Sequence, residues 1–378
     1  MSKNTNDLGP MPAPRQTATL IGHEKVEAKL ANTFEYGRMA HALLLAGPRG
    51  IGKATLAYRF ARHVLSSSTP DMKTMFTEKS DRRLAVSPDN EVFARVASGG
   101  HADLLVLEKG INPRTGRLRG EITVDEARQL HRFLCLTPVE SSWRISIVDA
   151  VDEMNLNAAN AILKSIEEPP PRAILILVSH APGRLSATIR SRCQQLNLRP
   201  LSQQNFRTVI KTVHPELKKS EIITLAQLSE GSPGRALVIA ELDGIQLYQT
   251  LVSILITVPA IDFESVHAFA DELSRKGSEG RFNLAMELLL GWLSCLVRTG
   301  AQKVLVPDII KGEGAARERF ISVRGLDHWA ELWENINRLF IRSERVHLDR
   351  KQVLLSAYTA IGDLAQAYAR CRLKLNAL

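Results

Sequence analysis

The sequence predicts an α/β domain built on a five-stranded parallel sheet, followed by a small helical lid and a larger all-α C-terminal domain. Three observations carry this. Short runs rich in Leu, Ile and Val alternate with helical patterns as far as about Leu201. A glycine-rich loop joins the first of those runs directly to a helix. Beyond Leu201 the pattern turns almost entirely helical.

The first 16 residues, with Pro10, Pro12 and Pro14, read as a disordered lead. The α/β domain follows at 17–201. Its candidate strands are Ala42–Ala46, Asp103–Leu107, Arg144–Asp149, Ala173–Val178 and Gln194–Leu198, short and apolar as strands buried on both faces must be. Candidate helices Lys53–Leu65, Val124–Cys135 and Asn155–Glu167 lie between them. In the last, Leu156, Ala159, Ile162, Leu163 and Ile166 recur at helical spacing before Pro169-Pro170-Pro171 ends it. Strand–helix alternation implies parallel strands with right-handed crossovers. The stretch 66–100 is charged and weakly periodic, and reads as a flexible insertion with at most one short helix. Residues 202–243 read as the lid and 244–378 as the helical domain, where Leu284, Leu288, Leu289, Trp292, Leu293 and Leu296 illustrate heavy apolar faces.

Gly47-Pro48-Arg49-Gly50-Ile51-Gly52-Lys53-Ala54 matches the phosphate-loop pattern in the context the pattern demands, after a strand and before a helix. Gly47, Gly50 and Gly52 let backbone N–H groups turn inward, the helix N-terminus adds partial positive charge, and Lys53 is placed to reach the terminal phosphates. The position after the lysine should carry a Ser or Thr hydroxyl for Mg²⁺. It carries Ala54, and Thr55 is turned by about 100° around the helix. The strand Arg144–Asp149 supplies the acid suited to Mg²⁺, Asp149, but the next position, where an active ATPase carries a water-activating Glu, is Ala150. Two separate parts of hydrolysis chemistry are missing.

The run Asn160-Ala161-Ile162-Leu163-Lys164-Ser165-Ile166-Glu167-Glu168-Pro169-Pro170, followed by Ser191-Arg192-Cys193, resembles bacterial clamp-loader subunits of the AAA+ superfamily. The resemblance covers roughly residues 20–240. Ala54 and Asp149-Ala150 are similar to the non-motor delta-prime branch of the DNA polymerase III clamp loader, as is Gly231-Ser232-Pro233-Gly234, where motor subunits place a nucleotide-sensing arginine and this chain has Gly234, with Arg235 one position on. The resemblance implies that Arg192 is an arginine finger given in trans to a neighbouring ATP site, a contribution worth roughly 10³–10⁵ in rate for well-studied GTPases. It implies a hetero-oligomer with motor and delta subunits, contact with a sliding clamp, primed DNA reached mainly through the complex, and a C-terminal domain acting as an oligomerisation collar. The subunit would not catalyse by itself, within a holoenzyme that polymerises DNA. It would need no cofactor, with residual ATP or phosphate binding at Gly47, Gly50, Gly52, Lys53 and Asp149. Ser179-His180 stands where the family places a polar sensor, and reads here as a loop pair. Delta-prime subunits often carry a four-cysteine zinc module after the first helix of the domain; 66–100 holds no cysteine, so no zinc is expected there.

Two other readings compete. An active ATPase motor could use Thr55 with Asp152 or Glu153, at the cost of two displaced groups. A direct DNA binder would draw on the net charge of +9 (49 Lys+Arg against 40 Asp+Glu), yet aromatics are only 5% and no basic stripe interleaves with them. Groups such as Arg342–Arg350 read as a solvated helix face. The charge-free stretch Gly244–Ile261 is broken by Gln246, Gln249, Thr250, Ser253, Thr257 and Pro259 and reads as a buried helix, not a membrane span. Cys135, Cys193, Cys295 and Cys371 are scattered with no Cys-x-x-Cys pair, which fits a reducing bacterial cytoplasm.

Overall fold

In the computed structural model the described residues are 13–67, 84–110, 121–302, 306–346 and 348–375. The chain divides into two compact units: residues up to Glu216 together with Glu230–Arg235, and Leu217–Ser229 together with Ala236–Leu378. The expected lid, 202–243, is therefore divided between the two. Of the expected disordered lead, 1–12 lies outside the described residues.

The first unit is a three-layer α/β/α sandwich. Its strands β1 (Ala42–Ala46), β2 (Leu104–Glu108), β3 (Arg144–Asp149), β4 (Ala173–Ser179) and β5 (Gln194–Asn197) stand in the order β2-β3-β4-β1-β5. Every pairing is parallel, with Leu43 opposite both Ile176 of β4 and Gln194 of β5. All five residues of β1 and all seven of β4 are buried, which is why the sequence shows continuous apolar runs there instead of alternation.

Alternate strand residues feed two cores. Leu43, Leu45, Ile145, Ile147, Ile174 and Ile176 pack under α1 (Glu24–Glu35), α2 (Lys53–Ser66) and α3 (Glu91–Ser98). Ala42, Leu44, Val148, Leu175 and Leu177 pack under α4 (Val124–Cys135), α5 (Leu156–Glu167) and α6 (Ala187–Arg192). Helix starts are set by local chemistry. Thr123 begins α4 with a capping box in which its N–H donates to Glu126 Oε2 at 2.7 Å, and Asn155 Oδ1 accepts the N–H of Ala158 at 2.9 Å ahead of α5.

Two expectations need correction. Of the supposed flexible insertion, 68–83 lies outside the described residues, but Leu84 and Val96 are each only 1% exposed and α3 packs on α2. The helical pattern there is short, so its buried face was easy to miss. Nor are residues 13–16 loose: the buried Arg62 donates to the carbonyls of Arg15 (2.9 Å) and Thr17 (2.7 Å), and Arg59 reaches Ala18 O. Two guanidiniums on α2 satisfy their donors by fixing that segment.

A seventh helix, α7 (Gln203–Val213), belongs to the first unit. The second unit contains α8 (Lys219–Leu228), most of α9 (Pro233–Glu241), then α10 (Gly244–Ile256), α11 (Phe263–Ser274), α12 (Glu279–Gln302), α13 (Glu313–Val323), α14 (Leu326–Val346) and α15 (Arg350–Leu375). Its centre is aromatic: the Phe320 ring lies 5.1 Å from Trp292 and 4.9 Å from Trp329, centroid to centroid. Leu284, Leu288, Leu289, Trp292, Leu293 and Leu296 are all buried in this core. Their apolarity is therefore explained by the unit's own packing and carries no evidence for a subunit contact. Among the described residues α12 is the one unbroken helix long and apolar enough to cross a membrane, and half of its most apolar window is buried in the fold. The charge-free stretch after Asp243 forms α10, with Leu247, Leu251, Val252 and Leu255 buried.

Candidate nucleotide site

Gly47 to Gly52 leave the C-terminal end of the inner strand β1, between β4 and β5, and run into α2. That is the end of a parallel sheet where crevices form. Gly47, Gly50 and Gly52 have φ of 149°, 79° and 98°. At Gly50 the need is strict, because an added Cβ would lie 2.7 Å from both Arg235 N and Ser232 Oγ as well as demanding a left-handed backbone.

The loop is held from several sides. Ser232 Oγ donates to Arg49 O at 2.6 Å, and Gly234 N–H donates to Gly50 O at 2.8 Å. His23 Nε2 donates to Ile51 O at 2.8 Å, and burial lowers the pKa of that imidazole, keeping it neutral. Lys53, only 3% exposed, turns back on its own loop and donates to Gly47 O (2.6 Å) and Pro48 O (2.5 Å). Burial brings its ammonium down to about 8, against the opposing pull of Asp149 and Asp152.

Asp149 ends β3 beside the loop. Burial pushes its carboxyl up to about 6, while Lys53 acts the other way. The other acids that could replace a missing group are engaged elsewhere. Asp152 Oδ1 accepts the N–H of His180 at 2.9 Å, and Glu153 pairs with Lys109 at 2.9 Å. His180 is brought down to about 4, by burial first and then by Lys53, so its ring is uncharged near neutrality. Ser179 Oγ and His180 Nδ1 are buried without a hydrogen-bond partner. These two orphaned groups, with the loop N–H groups and Lys53, suit an anion once the lysine swings off its carbonyls. Ala54 offers no hydroxyl to a cation, and Ala150 no carboxylate to a water.

Five of the sequence-derived site residues, Gly47, Gly50, Gly52, Lys53 and Asp149, are thus brought together. Arg192 is not among them. It is the last residue of α6, two positions before β5, and β5 starts opposite Leu43. Arg192 is therefore level with the beginning of β1, whereas Gly47 follows its end. At about 3.3 Å per strand residue the separation is about 20 Å, beyond the reach of an arginine side chain. Its Nε lies 3.1 Å from Glu167 Oε1, at the end of α5, and both side chains are nearly half exposed.

Residues 22–202 match the family described as DNA polymerase III, delta subunit. Across that stretch the chain is similar to subunits of the DNA polymerase III clamp loader. The delta-prime subunit of Pseudomonas aeruginosa DNA polymerase III is 34% identical over 197 residues, 51% of this chain and 54% of that protein. The tau subunit of Bacillus subtilis is 25% identical over 230 residues, 59% of this chain and 37% of that protein. The chain thus spans about half the length, or less, of these relatives. A solved gamma subunit-related protein of Thermotoga maritima aligns with 90% of this chain and 99% of its own at 18% identity, with a TM-score of 0.39.

Within the first unit, sequence reasoning missed what holds the loop. His23 belongs to no motif, and Ser232 stands only within the turn Gly231-Ser232-Pro233-Gly234. The signal for Ser232 and Gly234 was present as Gly-Ser-Pro-Gly, a turn signature, but not the distant loop it grips. The pairing of Glu167 with Arg192 was equally hidden, since neither residue's neighbours specify the other.

Proposed function

We propose that this chain is a non-hydrolysing subunit of the DNA polymerase III clamp loader that gives Arg192 in trans to the ATP site of a neighbouring motor subunit. The observation that carries the reading is the position of Arg192, exposed at the end of the sheet opposite its own phosphate loop. An arginine there does not reach its own phosphate loop, so a phosphate that it served would lie outside its own domain. A guanidinium delivered to a neighbour's γ-phosphate would stabilise charge spreading over its oxygens as the bond breaks. Support comes also from the residues at the Mg²⁺ and water-activating positions, Ala54 after the loop and Ala150 after β3.

In this reading the partners are motor subunits, a delta subunit and a sliding clamp. Primed DNA is met mainly through the complex, in the bacterial cytoplasm at the replication fork. The helical second unit acts as an oligomerisation collar. No cofactor or zinc is needed, and the loop keeps at most a residual affinity for ATP or phosphate.

The test is ATP turnover by the reconstituted loader containing wild-type chain or Arg192→Ala, beside the chain alone. The chain alone is expected to be silent, and Arg192→Ala to slow turnover at least tenfold at the site it serves, in a complex that still assembles. Turnover by the isolated chain overturns the non-hydrolysing assignment. An intact complex indifferent to Arg192→Ala overturns the finger.

A further inference from the structure

We propose that Glu167 is a positioning residue for Arg192, setting which edge of the guanidinium faces outward before a neighbour is met. The proposal rests on the trans reading above. Glu167 is the last residue of α5 and Arg192 the last of α6, and these two helices pack together in the first unit. Glu167 Oε1 forms an ion pair with the guanidinium, 3.1 Å from Nε. Nη1 has only a long contact of 3.5 Å with Thr188 O, and among the described residues Nη2 has no partner. A guanidinium is a rigid planar fork of five donors. Paired through its Nε side, it keeps its Nη1/Nη2 edge for a second anion, and that is the edge able to span two oxygens of a phosphoryl group.

Two physical points bear on what this pair can do. A carboxylate at the C-terminal end of a helix sits at the negative end of the macrodipole, an unfavourable place for it unless a cation compensates. Arg192 is that cation. The pair is also exposed and so weakly bound, 45% for the arginine and 44% for the glutamate. A phosphate carrying more charge can take the outward edge without first paying to break a buried ion pair. Glu167 therefore biases direction without locking the side chain, which lowers the rotamer entropy lost when Arg192 is immobilised.

The experiment is steady-state ATP turnover of the reconstituted loader with Glu167→Ala, Glu167→Gln, Arg192→Ala and the double variant. Assembly is checked by size exclusion. Glu167→Ala is expected to lower kcat about three- to tenfold with KM for ATP unchanged. Glu167→Gln keeps an acceptor oxygen for Nε and is expected to recover most of that loss. In the Arg192→Ala background, removing Glu167 is expected to change nothing further. If Arg192→Ala is slow while Glu167→Ala matches wild type, positioning by Glu167 is wrong and the finger survives. If Glu167→Ala costs as much without Arg192 as with it, Glu167 acts by some other route and the proposal fails. If Arg192→Ala has no effect, the finger and this inference fall together.

Discussion

Lys53 Nζ donates to the carbonyl oxygen of Gly47 at 2.6 Å, closing the loop upon the amine that the pattern reserves for phosphate. The contact satisfies a buried charge using only the loop's own backbone. It also means that an anion entering this site must displace Lys53 from Gly47 and Pro48 before gaining its charge.

The same burial gives Lys53 a pH signature. Its folded-state value of about 8 lies below its ordinary value, so between roughly pH 8 and 10.5 the unfolded chain holds the proton that the folded chain has lost. The unfolded state binds more protons there, and stability must rise with pH across that window. Relative to Lys53→Met, wild-type protein should gain about 2 kcal/mol in urea unfolding between pH 8 and 10. Parallel pH profiles for the two proteins would show that the amine is not held as described.

The grip of the 230–235 segment on the loop is tested at Gly234. A methyl group there would lie 2.8 Å from Gly50 O and 2.9 Å from Gly50 Cα, both backbone atoms that cannot rotate aside. Gly234→Ala should cost about 1–3 kcal/mol. Gly183→Ala, where an added Cβ meets nothing within 4 Å, should stay within about 0.5 kcal/mol of wild type in the same thermal unfolding series.

Asp103 organises the other end of the sheet. Its carboxylate is fully buried, accepts the N–H groups of Val139, Glu140 and Ser141 at 2.8 Å each, and lies 3.6 Å from Arg144. Burial alone would raise this acid, but those backbone donors outweigh it and hold the carboxyl below its usual value. A depressed carboxylate stabilises the fold above its ordinary pKa, and that stability drains away as pH falls below about 4. Asp103→Ala should cost about 3–5 kcal/mol at neutral pH, because it strands three N–H groups and the buried Arg144 guanidinium. The difference from wild type should shrink on acidification in chemical unfolding.

How much of this was legible beforehand depends on the range of the interaction. The strand Arg144–Asp149 was readable to the residue, because burial on both faces leaves no polar alternation to blur its ends. Helix α4 was equally plain, with Thr123 and Glu126 fixing its start. The loop from Gly47 to Lys53 declared itself by pattern. Its present state did not: Lys53 on Gly47 O is a matter of rotamer, and Ser232 on Arg49 O joins residues 183 positions apart. Helix α3 was obscured because two buried residues, Phe93 and Val96, are too few to raise a clear period. The apolar face of α12 was legible, but what covers it was not. Periodicity reports that a face is covered without saying by what, and here the cover is the unit's own aromatic core.

The second unit carries a buried carboxylate that decides its stability. Tyr248 Oη donates to Glu313 Oε1 at 2.5 Å, and Glu313 Oε2 accepts the N–H groups of Ile309 (3.0 Å) and Ile310 (3.3 Å). Glu313 is only 2% exposed, so each donor offsets part of the cost of taking its charge out of water. Burial, reinforced by the Glu313 charge, raises the Tyr248 hydroxyl well above its usual value, so it stays a donor at any accessible pH. Tyr248→Phe should lower stability by about 1.5–3 kcal/mol, the range for hydrogen bonds to charged groups. Glu313→Leu alone should cost more, since Tyr248 and two backbone N–H groups then lose their acceptor together. The sum should not hold for the pair: in the Tyr248→Phe background, Glu313→Leu should cost at least 1 kcal/mol less than in wild type, because one of those donors is already gone. Full additivity in urea unfolding of the four proteins would mean that the two side chains do not support each other as the 2.5 Å contact implies.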